Sequence, residues 1–129
     1  HDAVESLASE VGGRTDVTVT TNLDFGEQSV SCKIGENVYR ILQEGLMNVI
    51  KHGETQQASV TITIEDDQLR MILEDQGVGF DPRERDGSRL GILGMQERTE
   101  LLGGSFTVSS RLGAGTRIDV HIPLQNDKQ

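Results

Sequence analysis

The stretch YRILQEGLMNVIKHG, residues 39–53, decides the fold because it predicts one amphipathic helix with two separate faces. The apolar face carries Val38, Leu42, Leu46 and Val49. At about 100° per residue, Glu44, Asn48 and Lys51 lie within roughly 60° of one another on a different side. A hard cation prefers oxygen ligands, and a lysine ammonium can sit against a phosphate as a point charge. This row predicts either a site for a metal ion and phosphate groups or an ordinary solvated face, and the three residues alone leave both open.

Length and charge limit the kinds of partner. The chain has 129 residues, enough for one domain, residues 1–129, with a single hydrophobic core. Its net charge of −9 argues against nucleic acid or an anionic membrane as the main partner, because both bind basic surfaces. The single cysteine fits a reducing compartment, and no stretch approaches the roughly 18 apolar residues of a membrane span. We therefore expect a cytoplasmic domain with no direct membrane contact, although a longer protein carrying it could be membrane-anchored.

Hydrophobic periodicity and turn residues predict helices and strands in a definite order. Asp66 and Asp67 are typical of a tight hairpin turn. The charged residues 83–89 show no apolar periodicity, and we interpret them as a mobile loop. The predicted elements are an N-terminal helix within 1–15, a strand over 16–23, a loop over 24–33, a helix within 34–53 that runs to about residue 51, strands over 58–65 and 68–75, a helix over 90–102 and a final hairpin over 104–124.

Two polar residues are predicted to enter the core from strands. Asp75 shares the apolar face of the strand 68–75, and Thr116 shares the apolar face of the last strand. A buried carboxylate is costly unless something pairs with it. Together the two groups could bind the polar edge of a flat ligand. The alternative at Asp75 is a carboxylate that caps the turn after it.

Glycines cluster in the second half of the chain, where they suggest backbone brought close to a ligand. Gly77 and Gly79 allow a turn directly after Asp75. Gly91 and Gly94 stand at the opening of a helix, where free backbone N–H groups and the helix dipole favour an anion. The chain has no P-loop motif of the form G-x-x-x-x-G-K-[ST].

Four motifs occur in order between residues 39 and 123: E-x-x-x-N-x-x-K-H, D-x-G-x-G, G-x-x-G-M and G-x-G-T. Their order and spacing resemble the ATP-binding domain of sensor histidine kinases, in the superfamily of gyrase, Hsp90, histidine kinases and MutL. The segments QEGLMNVIKH, DQGVGFDP and LGILGMQERTELLGG resemble sequences of the nitrate-sensor and DesK-like subfamily, which has a short ATP lid. The fold implied is a two-layer α/β (α+β) sandwich of the Bergerat type. In it, a mixed, mainly antiparallel sheet is covered on one face by about three helices.

The resemblance also implies roles on the central helix. Asn48 would hold Mg²⁺, and Glu44 would order a water molecule or the surroundings of the metal, which makes these two the candidate catalytic and metal residues. Lys51 and His52 would approach the phosphates. The helix within 34–53 would thus be the metal and phosphate helix.

Residues 75–104 would form the base pocket and the lid. By resemblance, Asp75 accepts a hydrogen bond from the adenine amino group, and Thr116 supports it through water. Gly77 and Gly79 belong to the same nucleotide site, with Gly79 shaping the base pocket.

The lid and phosphate contacts would come from the backbone amides of Gly91 and Gly94. The cofactors implied are therefore ATP and Mg²⁺.

The function implied is the catalytic domain of a two-component sensor histidine kinase, which donates the γ-phosphoryl group of ATP to a histidine on an adjoining dimerisation domain for relay to a response regulator. His1 and Asp2 resemble the phosphoacceptor pair, but they lie too close to the central helix to leave room for a two-helix hairpin. We expect the phosphoacceptor dimerisation domain to be absent from this chain. Two alternatives stay open: an anti-sigma-factor-type Ser/Thr protein kinase, and a module that binds ATP and signals without catalysis.

Overall fold

The structure is a computed structural model, and it describes residues 6, 7, 9, 18–25, 30–49, 57–76, 87–111 and 115–124, with only the backbone at 87–90, 110 and 111. In chain order the elements are β1 (Thr18–Asp24), α1 (Cys32–Asn48), β2 (Gln57–Glu65), β3 (Gln68–Asp75), α2 (Gly87–Leu101), β4 (Ser105–Arg111) and β5 (Gly115–Pro123). Neither labelled helix has the length and apolarity needed to cross a membrane.

The five strands form one mixed sheet in the order β1-β2-β3-β5-β4. β1 and β2 are parallel, and α1 connects them. The other three pairs are antiparallel. The predicted mixed, mainly antiparallel sheet is therefore confirmed. Of the N-terminal helix predicted within 1–15, residues 6, 7 and 9 are helical and Leu7 is buried in the core.

One face of the sheet packs against the helices. Alternating residues of β2, β3 and β5 are buried on that face, as the period of two predicts. Each fully buried Leu, Ile or Met contributes about 1.5–3 kcal/mol. Helix α1 adds the apolar face expected from its sequence, and α2 adds Ile92 and Met95. The main buried residues are Ile34, Val38, Ile41, Leu42, Leu46, Val60, Ile62, Leu69, Met71, Leu73, Ile118, Val120 and Ile122.

The turn between β2 and β3 is tight, as predicted. Asp66 and Asp67 have φ values of 55° and 58°. Positive φ at both central residues is the requirement of a type I′ hairpin turn, and aspartate tolerates it better than most residues.

Helix α1 begins at Cys32, so the prediction of a loop through residue 33 was wrong at this end. Ser31 is the N-cap: its Oγ accepts a hydrogen bond from the Ile34 backbone N–H at 3.2 Å. That capping serine stands in the sequence and marks the start. The helix is described to Asn48, and the predicted end near residues 51–53 lies outside the described residues.

Helix α2 begins at Gly87, so residues 87–89 are helical and their prediction as a loop was wrong. Residues 87–89 are the first turn of this helix. A first turn can form without apolar residues at helical spacing, so the hydrophobic periodicity of the sequence did not reveal it. The helix ends as predicted at the glycine pair. Gly103 has φ 75°, its N–H donates to Glu100 O at 2.9 Å, and the Gly104 N–H donates to Thr99 O at 3.0 Å. These two bonds form a Schellman motif.

Candidate nucleotide site

The centre of the candidate site is Asp75, the last residue of β3. Its side chain enters the helix-covered side of the sheet and is only 7% exposed. In the register of β3 and β5, Asp75 lies directly opposite Thr116. The structure therefore brings together the two polar residues that strand parity predicted on one face.

Gly115 makes the close approach of these strands possible. It is the first residue of β5 and has φ 82°, a left-handed conformation that favours glycine. A side chain there would overlap the backbone oxygen of Asp75, and its Cβ would lie 3.1 Å from Gln76 Cα. Sequence reasoning placed this glycine in a turn and missed its part in the site. The G-x-G-T motif was the signal for it.

Asn48, the last residue of α1, carries an unsatisfied buried group. Its Nδ2 atom is buried and has no hydrogen-bond partner among the described residues. Leaving such a donor unpaired costs about 1–3 kcal/mol. Because rotation about χ2 exchanges the two amide atoms, this position can present Nδ2 to a phosphate oxygen or Oδ1 to a cation. A buried Nδ2 atom without a described partner fits a site for a polar ligand.

Glu44 lies one helical turn before Asn48, and its side chain is exposed overall. Its carboxylate rests against Gly91 of α2, which is buried. A Cβ at Gly91 would overlap Glu44 Oε1 and would lie 3.1 Å from Glu44 Cδ. The structure thus brings together two of the predicted site residues from separate helices.

Gly94, one turn further along α2, has different surroundings. A Cβ at this position would meet no atom of the described chain within 4 Å. Its backbone is not in the left-handed region either. Neither packing nor conformation in the described part requires glycine here, although glycine costs about 1 kcal/mol relative to alanine inside a helix. Open space of this kind fits a group that approaches the helix backbone.

Four predicted site residues, Lys51, His52, Gly77 and Gly79, lie outside the described residues. Their roles stay predictions.

The described residues hold no group of three or more His, Cys, Asp or Glu side chains able to bind a metal ion. Mg²⁺ usually takes one or two protein ligands and fills its remaining positions with water and phosphate oxygens. Asn48 and Glu44 supply oxygen donors of the right chemistry for such a shared site.

An open pocket of about 210 Å³ lies beside the end of β3. Thr20, Ser59 and Glu74 line it, and they stand side by side across β1, β2 and β3 on the face away from the helices. Asp75 also lines it, and none of the described lining residues is cationic, so the pocket is a poor match for phosphate groups.

The strongest described ion pair also lies away from the site, on the outer face of the sheet. Arg70 contacts Asp119 through two hydrogen bonds, Nη2 to Oδ2 at 2.7 Å and Nε to Oδ1 at 3.2 Å. His121 Nε2 lies 3.1 Å from the same carboxylate. The hydrogen bond from Arg70 holds the pKa of Asp119 below its ordinary value. The same hydrogen bond, accepted by Asp119, raises the pKa of Arg70. This cluster is a structural feature of the sheet.

Comparison with known proteins shows the family to which the chain belongs. The family model described as "Histidine kinase-, DNA gyrase B-, and HSP90-like ATPase" matches residues 34–126. The chain is 37% identical over 90 residues to the signal transduction histidine-protein kinase/phosphatase DegS of Bacillus subtilis, covering 67% of this chain and 23% of the relative. It is 30% identical over 112 residues to the oxygen sensor histidine kinase NreB of Staphylococcus carnosus, covering 84% of this chain and 31% of the relative.

Among solved structures, the histidine kinase AdeS of Acinetobacter baumannii superposes with a TM-score of 0.76 at 18% identity, covering 97% of this chain and 64% of that one. A match at this identity shows the fold, a mixed sheet with helices on one side. The chain spans between 23% and 31% of the length of the two curated relatives. The chain belongs to the histidine kinase-, DNA gyrase B- and HSP90-like ATPase family.

Proposed function

We propose that the chain binds Mg²⁺–ATP and donates the γ-phosphoryl group to a histidine on an adjoining dimerisation domain, from which a response regulator takes it. The observation that carries the proposal is the buried Nδ2 atom of Asn48, which has no hydrogen-bond partner among the described residues, one helical turn from Glu44, whose side chain is exposed overall. A polar atom that can still accept a partner, next to a carboxylate, suits a site for a metal ion and phosphate groups.

In this proposal Asp75 reads the base. Its buried carboxylate accepts a hydrogen bond from the exocyclic amino group of adenine, and the apolar surroundings strengthen that bond. Thr116, opposite Asp75 in the sheet, can hold a water molecule against the ring or the carboxylate. Gly77 and Gly79 complete the pocket as predicted from the sequence.

The phosphate end of the site is assigned to α1 and α2. Asn48 presents its amide oxygen to the metal, and Glu44 orders a water molecule beside it. Lys51, His52 and the backbone amides at Gly91 and Gly94 supply donors for the phosphate oxygens. Held by these residues, Mg²⁺ would neutralise phosphate charge during the transfer.

Phosphoryl transfer depends mainly on positioning and charge neutralisation. The bond between the γ-phosphorus and the bridging oxygen of ADP breaks, and a bond from phosphorus to an imidazole nitrogen forms. ADP leaves with the bridging oxygen, and the imidazole proton goes to a base. We place that base outside this chain. We also place the domain in the cytoplasm, where ATP is available.

The test separates this proposal from its rivals by the amino acid that is labelled. The chain is incubated with Mg²⁺ and ATP radiolabelled in the γ-phosphoryl group, together with a histidine kinase dimerisation domain or a serine-bearing anti-sigma-factor antagonist. We expect label on the first acceptor that is lost in acid and retained in alkali, as phosphohistidine is. Acid-stable label on the second acceptor would favour the anti-sigma-factor type. Tight ATP binding with no transfer to either would favour the non-catalytic module.

A further inference from the structure

Three of the described contacts between the helices α1 and α2 involve named side chains or glycines. Glu44 packs on Gly91, Gly45 packs beside Met95, and Arg98 Nη1 donates to Asn37 Oδ1 at 3.2 Å. From Gly91 and Met95 to Arg98 along α2, the partner on α1 moves back from Glu44 and Gly45 to Asn37, so the two helices are antiparallel. The contact of Glu44 with Gly91 is the one that joins two residues assigned to the phosphate end of the site.

We propose that Gly91 is a positioning residue for Glu44. Because glycine has no side chain, the Glu44 carboxylate can pack against the Gly91 backbone, and the docking of α2 on α1 therefore fixes the direction of that carboxylate. The inference rests on the proposed function, because it concerns the acid that orders water beside the metal.

The geometry at Gly91 is specific in one respect. A methyl group there would overlap the end of a flexible side chain, Glu44 Oε1, and it would lie 3.3 Å from Glu44 Cγ. The overlap is not with backbone. The cheapest response is therefore rotation of Glu44 to another rotamer, with the helix packing retained. The substitution should move the carboxylate while leaving the fold intact.

Gly94 gives a matched comparison within the same helix. The same added methyl group would point into open space. Both changes from glycine to alanine raise helix propensity equally, so any difference between the two variants in the environment of Glu44 reports the contact at Gly91.

The first measurement needs no catalytic activity. The side-chain carboxyl ¹³C resonance of Glu44 is followed by NMR in the parent chain, Gly91→Ala and Gly94→Ala. We expect a shift of this resonance in Gly91→Ala alone, with a melting temperature no lower than that of the parent. An unchanged resonance, or the same shift in both variants, would overturn the inference. Unfolding of Gly91→Ala would also overturn the inference, because the added methyl group would then have disrupted the packing of the two helices and not only the rotamer of Glu44.

The second measurement is a double-variant cycle on phosphotransfer. We expect Gly91→Ala to lower kcat by about tenfold or more with KM for ATP changed less than about twofold, since small displacements of a catalytic group cost this much. In a Glu44→Ala background the same change should alter kcat by less than about twofold. Equal losses in both backgrounds, or a rise in KM alone, would show that Gly91 acts on the nucleotide directly and would contradict the inference. If the parent transfers no phosphoryl group, the proposed function fails, and the NMR result still decides the role of Gly91.

Discussion

Asp75 and Thr116 face each other across β3 and β5, at the point where one strand ends and the other begins. A carboxylate with 7% exposure and a half-buried hydroxyl thus interrupt a face that is otherwise apolar along both strands. In the proposed function this pair, at the end of the sheet, contacts the base of the nucleotide.

Asp75→Asn should abolish measurable ATP binding. The amide gives up a charge-assisted acceptor, whose bond is worth about 1.5–3 kcal/mol, and can turn a donor toward the adenine amino group. The measurement is the rise in melting temperature that Mg²⁺–ATP produces, which reports binding to the folded state. Asp66→Asn, at the exposed hairpin turn, is the matched control and should keep the full rise. An undiminished rise in Asp75→Asn would remove Asp75 from the base contact.

Asn48→Ala should weaken the binding of Mg²⁺–ATP without destabilising the fold. Because Nδ2 is buried without a partner among the described residues, its removal relieves a cost of about 1–3 kcal/mol, and we expect the free energy of unfolding to stay equal to that of the parent or to rise. The affinity for Mg²⁺–ATP should fall sharply. Asn37→Ala, on the same helix and hydrogen-bonded to Lys33 O and Arg98, should leave the affinity unchanged. If Asn48→Ala unfolds the chain or binds Mg²⁺–ATP as the parent does, the metal assignment is wrong.

Gly115→Ala should destabilise the fold at the site. A left-handed residue with a side chain costs about 1–2 kcal/mol, and the overlap with the Asp75 backbone adds to that. We expect the free energy of unfolding, measured by denaturant titration, to drop by about 2 kcal/mol or more. Gly94→Ala is the control for the substitution itself and should leave stability equal or up to about 1 kcal/mol higher. Equal stability of Gly115→Ala and the parent would refute the close approach of the strands.

The pair of Arg70 and Asp119 predicts a pH-dependent contribution to stability. The pKa of Asp119 is lowered from its ordinary value of 3.8, chiefly by the hydrogen bond from Arg70. A lowered pKa in the folded state means that ionised Asp119 stabilises the fold above the ordinary pKa and that this contribution is lost as the pH falls below it. Asp119→Asn should therefore melt below the parent at neutral pH, and the gap should close in acid.

Thermal unfolding across this pH range tests the expectation, with Glu65→Gln as the control for loss of an exposed carboxylate on the neighbouring hairpin. A gap that is constant with pH, or one that Glu65→Gln reproduces, would argue against the pair as its source.

Strand parity and turn chemistry were enough to predict part of the site. Period-two alternation predicted that Asp75 and Thr116 enter the same core, and Asp66 and Asp67 predicted the hairpin between β2 and β3. These predictions succeeded because they depend on local rules that hold along a single strand or turn. The predicted start of α1 failed because the capping signal at Ser31 was overlooked.

Contacts between distant segments could not be predicted in the same way. The contact of Glu44 with Gly91 depends on how two helices dock. Nothing in the sequence around either residue sets it apart from other glutamates or glycines. The hydrogen bonds between Arg70 and Asp119 require β5 to lie next to β3 in the sheet. The order of the strands along the sequence does not reveal that neighbourhood. Packing over long sequence separation decides these features.

The most direct test of the account is calorimetric titration of this chain with ATP in the presence and absence of Mg²⁺, with GTP for comparison. We expect one ATP site per chain, weakened when Mg²⁺ is withheld, and no comparable binding of GTP, which carries an oxygen where adenine has its amino group. Absence of ATP binding with Mg²⁺ present, or equal binding of ATP and GTP, would contradict the assignment of Asp75 and Asn48 to a nucleotide site.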